Sequence, residues 1–273
     1  MIWPMLAALR LIHPAPAAAV VALSAALGAI LATQAGLPLD ERWALTVVAV
    51  AGSQVFTGAT NDVADRMRDA GARPEKPIPA GDLSLNAATW IASIGLAVQL
   101  VASWRVGELA LALGVVASGS ALAYNLALSR TPFSPIPYLV SFGLLPAWIA
   151  AGVGVPLERV LPTIPLIAPF AMAAHLANTV RDFEADAAGG SRSLAQLLGR
   201  QASRRLAAGL ALAVGLGVGG ALLLGGRVAP ASAGLGILGL LAIVLGMPSE
   251  RRLWYGILVA AVCWTAAWAL STA

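Results

Sequence analysis

Charge is what this chain has least of. Only 11% of its 273 residues are Asp, Glu, Lys or Arg, against about 25% in soluble domains. The shortfall is too large to assign to a big core, and it excludes a water-soluble globule. Among its 17 basic side chains a single one, Lys76, is lysine. The lone cysteine, Cys263, excludes an internal disulfide; it lies beside Trp264 in an apolar run and reads as packing or lipid-facing surface. Also lacking is any series of ten-residue segments with alternating polarity, which excludes a membrane β-barrel.

What is present is apolar: 59% of the residues, with a mean hydropathy of +0.83. About 20 consecutive apolar residues span a bilayer as a helix. Breaking the apolar runs at charges, prolines and glycines gives about nine spans, near 15–35, 42–60, 84–103, 108–128, 135–155, 160–178, 204–225, 230–247 and 253–271. The fold class is therefore all-α, a polytopic membrane protein read as one domain over 1–273. Arg10 ahead of an alanine-rich stretch resembles a signal peptide, but 15–35 is long enough to span. It is taken as the first membrane helix, with Met1 to Leu11 as an interfacial lead-in. Thirteen basic residues fall on the side that holds the N-terminus, and four (Arg42, Arg105, Arg159 and Arg227) on the other. Basic residues concentrate on the cytoplasmic side, so the N-terminus is expected in the cytoplasm and the C-terminus outside, with a bacterial inner membrane as the location. No nucleic-acid partner is expected.

Two cytoplasmic connections, about 61–83 and 179–203, are long, and long ordered loops are usually functional. Each begins with an acidic cluster. The first is Asn61-Asp62-Val63-Ala64-Asp65-Arg66-Met67-Arg68-Asp69. If the helix continues at about 100° per residue, Asp62, Asp65 and Asp69 fall at about 0°, −60° and −20°, on one narrow face. The second is Asp182-Phe183-Glu184-Ala185-Asp186. On the same count His175, Asn178, Asp182 and Asp186 form one polar stripe, and Glu184 points away, solvated or paired with an arginine. Stacked carboxylates repel each other at a weakly screened boundary and call for a cation. An all-oxygen set without thiols suits Mg²⁺, which binds one or two carboxylates together with substrate phosphates. Two such clusters would grip a diphosphate, and nearby arginines would share its charge.

These residues form a pattern that resembles the UbiA superfamily of intramembrane prenyltransferases. The first signature is Asn61-Asp62-x-x-Asp65-x-x-x-Asp69, followed by Arg73-Pro74 and Lys76-Pro77-Ile78-Pro79-Ala80-Gly81. The second is Asp182-x-x-x-Asp186-x-x-x-Gly190, leading into Arg192-Ser193-Leu194 and Leu198-Gly199. Tyr124 and Arg130 match where many members place a tyrosine and a basic residue. The resemblance implies nine helices around a central cavity with a cytoplasmic cap, Mg²⁺ as cofactor, a polyprenyl diphosphate donor and a small-molecule acceptor. It also implies that Asn61, Asp62, Asp65 and Asp69 hold one metal–diphosphate group, and Asp182 and Asp186 the other. Arg66, Arg73, Lys76, Arg130 and Arg192 become candidates for direct diphosphate contact.

Departures from the family pattern bear on the acceptor. Members that prenylate hydroxybenzoate often carry an acidic residue about two turns before the second motif, where this chain has His175, with Asn178 one turn on. Ser129 precedes Arg130 where many members show Lys-Arg. Both differences count against a 4-hydroxybenzoate acceptor. His175 is either a general base, since imidazole titrates near neutrality, or a packed neutral donor. Three activities fit: prenyl transfer to a small aromatic or polar acceptor, a terpene cyclase of the same superfamily, and transport. Transport is disfavoured because the acids cluster at the boundary rather than at mid-membrane, and no repeat relates two halves.

Overall fold

A computed structural model describes residues 2–226 and 229–272; Arg227, one of the four basic residues expected outside, lies beyond them. The described residues form helices, with no strand among them. Among the described residues seven stretches are long and apolar enough to cross a membrane: α2 (Pro14–Gln34), α3 (Glu41–Ala72), α4 (Leu85–Val106), α5 (Glu108–Leu126), α6 (Pro135–Val153), α7 (Ile164–Arg181) with the turns before it, and α10 (Arg200–Leu224). α11 (Pro230–Gly246) is apolar but has 17 residues, and α12 (Glu250–Thr272) closes the chain. Three short helices complete the order: α1 (Ile2–Leu11), α8 (Phe183–Ala188) and α9 (Leu194–Leu198).

The chain divides into two compact units, Met1–Ser129 with Leu144–Arg159, and Arg130–Gly143 with Val160–Ala273. α6 therefore contributes its first half to the second unit and its second half to the first. In the first unit α3 is the central element. Asp40 caps it by accepting from the Arg42 amide at 2.9 Å, with Glu41 in the first turn. At 1.5 Å per residue its 32 residues run about 48 Å, against about 30 Å of hydrocarbon. About 20 residues from Glu41 reach Thr60, so the last three turns, with the acidic cluster, stand at the polar boundary.

Glycines let the neighbouring helices close on α3. A Cβ on Gly52 would lie 2.7 Å from the Gly95 carbonyl oxygen, and one on Gly95 would lie 2.8 Å from the Phe56 amide nitrogen. The backbones of α3 and α4 therefore touch, the close approach that small residues permit between membrane helices. One turn on, Ser118 of α5 donates to the buried Gln99 side chain of α4. Such a bond satisfies polar groups that lipid cannot. In the second unit α7, α10, α11 and α12 share a core that includes Leu176, Ala207, Ala211, Ile243, Ile257 and Trp264. Trp264 packs over Gly215 and Gly239 and donates from Nε1 to the Gly236 carbonyl at 3.2 Å.

Two expectations need correction. The connection expected over 61–83 is half helix, because α3 continues to Ala72 and the irregular segment starts only at Arg73. The connection over 179–203 contains α8 and α9, which are separated by Gly190 at φ 72°.

The glycine contacts lead to a stability prediction. Gly52→Leu or Gly95→Leu forces α3 and α4 apart and is expected to cost about 1–3 kcal/mol, read as a lower melting temperature of the detergent-solubilised protein. Gly119→Ala, whose Cβ meets nothing within 4 Å, should leave that temperature unchanged or slightly raised.

Candidate active site

The helical period holds through the first cluster, so Asp62, Asp65 and Asp69 share a face, and all three are buried at 2%, 9% and 4% exposure. Carboxylates at that depth must be paired, and cations surround them. The Lys76 ammonium donates to Asp62 Oδ1 and to Asp69 Oδ2, both at 2.8 Å. Arg68 pairs with Asp65 one turn away. His13 Nε2 lies 3.1 Å from Asp62 Oδ1. Asn61 donates to the Asn125 side-chain oxygen at 3.3 Å, and Asn125 donates in turn to the Thr57 carbonyl and Thr60 Oγ1 at 2.9 and 2.8 Å. This bonding seats Asn61 against the last turn of α5, where Tyr124 also lies.

The segment after α3 is a chain of turns that brings Lys76 back over the cluster. The Arg73 amide donates to the Asp69 carbonyl at 2.7 Å, Lys76 to Arg73 at 3.1 Å, and Ala80 to Lys76 at 2.9 Å. Pro74, Pro77 and Pro79 fix φ along it. Arg10 of α1 pairs with Asp82 at 3.3 Å and donates to the Glu75 carbonyl, tying the segment to the chain's start. Arg66 folds back on its own helix, donating to the Val63 carbonyl at 2.8 Å.

The second cluster is arranged differently. α7 ends at Arg181, and Asp182 joins it to α8 with φ −104° and ψ 16°. The uninterrupted stripe expected from His175 to Asp186 therefore breaks at Asp182, where the backbone leaves the α region, although the Asp186 amide still donates to the Asp182 carbonyl at 2.9 Å. Asp182 is held by the guanidinium of its neighbour Arg181 at 3.0 Å, and Arg181 in turn lies 5.5 Å from the Trp254 ring centroid. Glu184 points to Arg200, at 2.8 Å.

His175 is fully buried, with Nε2 3.0 Å from Ser134 Oγ and its ring 4.8 Å from that of Tyr138. Asn178 lies one turn after His175 on α7. Arg130 and Arg192 are brought together through the backbone, the Arg192 amide donating to the Arg130 carbonyl at 2.9 Å, and both side chains are exposed.

Among the described residues no three or more His, Cys, Asp or Glu side chains converge as a metal-holding group. The donor chemistry nevertheless fits magnesium. Asp62 and Asp69 already share one cation, the Lys76 ammonium, and all their donor atoms are oxygen. Sequence reasoning missed His13 and Asn125. His13 lies 49 positions from its partner, and its only local signal is a histidine directly before the proline that opens α2.

The UbiA prenyltransferase family model matches residues 21–253, across both acidic clusters. A digeranylgeranylglyceryl phosphate synthase of Methanoculleus marisnigri is 32% identical over 187 residues, which is 67% of this chain; the chain spans 65% of that relative's length. A UbiA homologue of Archaeoglobus fulgidus, solved with DMAPP and Mg²⁺, superposes with a TM-score of 0.71 at 14% identity, covering 97% of this chain and 99% of that one. An apo UbiA homologue of Aeropyrum pernix gives 0.69 at 20% identity over 90% and 96% of the two chains. On the match to residues 21–253, the chain belongs to the UbiA prenyltransferase family.

Proposed function

We propose that the chain is a magnesium-dependent intramembrane prenyltransferase, moving a polyprenyl group from its diphosphate to a small aromatic or polar acceptor. The observation that carries this reading is the pair of buried carboxylates, Asp62 and Asp69, drawn onto a single cation at 2.8 Å each. The DMAPP and Mg²⁺ held by the Archaeoglobus homologue support the same donor class and metal. The name of the Methanoculleus relative contains a glyceryl phosphate. That favours a phosphorylated polar acceptor over a hydroxybenzoate, as do His175 and Ser129.

In this reading Asn61, Asp62, Asp65 and Asp69 are one set of magnesium ligands, and Asp182 and Asp186 are a second. Magnesium, when bound, neutralises diphosphate oxygens and so eases their departure with the bonding electrons. Arg66, Arg73, Lys76, Arg130 and Arg192 supply charge-assisted hydrogen bonds to diphosphate oxygens. With the carboxylates on the metal, the Lys76 ammonium would be free of Asp62 and Asp69 to donate hydrogen bonds to phosphate oxygens. Tyr124 and Asn178 line the substrate. His175 has no exposed surface and is bonded to Ser134, which favours the packed neutral donor over the general base. The proposed topology has nine spans, counting α11 and α12, with the N-terminus in the cytoplasm and the C-terminus outside.

The test is diphosphate release by the purified chain with geranyl, farnesyl and geranylgeranyl diphosphate, with lipid products identified by mass spectrometry. Release is expected to need Mg²⁺, to stop on adding EDTA and to resume when Mg²⁺ is restored in excess. Chelator-resistant turnover would sink the metal assignment. Asp65→Asn and Asp182→Asn should each lower the rate by about a hundredfold or more while the protein remains folded and extractable. Near-normal rates in either variant would remove that cluster from the mechanism.

A further inference from the structure

His13 is left unexplained by the roles above, yet it touches the most buried carboxylate of the first cluster. Its Nε2 lies 3.1 Å from Asp62 Oδ1, the same oxygen that accepts from Lys76. Two backbone features bring it there. Among the described residues His13 is the one non-glycine at positive φ, at 51° with ψ 69°. A side chain adopts that region at a cost, and such residues gather at functional sites. A Cβ on Gly58 would meet the Ile12 backbone at 2.9 Å, so the Ile12–His13 segment seats directly on α3. Gly58 lies one turn before Asp62, on the same face.

Ordinary structural roles do not account for this placement. His13 stands at the head of α2, but its side chain makes no capping hydrogen bond. The His13 side chain is 38% exposed while the Asp62 side chain is 3% exposed, so the imidazole reaches inward to a carboxylate rather than filling a core. Acidic metal ligands keep their aim when an outer hydrogen bond fixes them, and loss of such a partner weakens metal binding by about 10- to 100-fold.

We infer that His13 is a positioning residue of the magnesium site: its Nε2–H holds Oδ1 of Asp62, keeping that carboxylate aimed when Lys76 gives way to the metal. The inference rests on the magnesium reading above, so its test separates the two and needs no turnover. Mn²⁺ binding to the full-length, detergent-purified protein is titrated by the electron paramagnetic resonance signal of free Mn²⁺. Five proteins are compared: the unchanged chain, Asp62→Asn, His13→Leu, which keeps bulk without a donor, His13→Gln, which keeps an N–H, and Gly58→Ala.

The expected result is Mn²⁺ affinity about tenfold weaker or more in His13→Leu, largely recovered in His13→Gln. Gly58→Ala, which displaces the Ile12–His13 segment without changing the histidine itself, should weaken binding in the same direction. Equal affinity in His13→Leu and the unchanged chain would overturn the inference and leave the magnesium reading intact. So would a His13→Gln variant as weak as His13→Leu, with the same loss of melting temperature. No Mn²⁺ binding by the unchanged chain, or full binding by Asp62→Asn, would overturn the magnesium reading and the role of His13 with it.

Discussion

Three carboxylates on the last turns of α3 are nearly cut off from water, and like charges so close cannot stay ionised there without positive neighbours. Lys76 from the segment after α3 and Arg68 on α3 itself meet that need, and His13 from the turn before α2 adds a hydrogen-bonding ring nitrogen. The surrounding structure follows from their convergence. The proline-rich segment after α3 must double back, α1 must hold that segment through Arg10, and the start of α2 must press against α3 at Gly58. A buried pair broken on one side is strongly destabilising, so this region is ordered by its charges as much as by apolar packing.

Apolar packing sets where the charges stand. Lipid is as apolar as leucine, so helices gain little by hiding greasy side chains from each other, and close backbone contact takes over. Gly52 against Gly95 provides it for α3 and α4. In the second unit Trp264 covers two glycines and reaches a third residue's carbonyl, giving α10, α11 and α12 a common centre.

The first cluster was legible in the sequence because α3 keeps an unbroken helical period to Ala72, and angular counting works wherever the period holds. The same counting failed at Asp182, where the chain leaves the α region between two helices that the sequence marks with no proline or glycine. Glu184 was readable as an outward acid, solvated or arginine-paired, and its partner is Arg200, 16 positions on. Lys76 was read as a phosphate contact, and its ammonium lies between two acids of the first cluster. Its chemistry was visible and its partner was not, since spacing cannot say how a turn-rich segment folds back. His13 and Asn125 were beyond reach for the same reason. Both act on residues more than 45 positions away.

The length of α3 has a mechanical side. One continuous helix carries Arg42, bonded to the Val106 carbonyl at 2.6 Å near its start, and the acidic face at its other end. The 32 residues contain no proline and run as one uninterrupted helix. A bilayer that thickens or thins shifts a helix by tilting it, at a fraction of a kcal/mol per Å. Here such a tilt moves the carboxylates with it. An uninterrupted helix of this length thus ties the depth of its acidic end to the lipid that surrounds its middle.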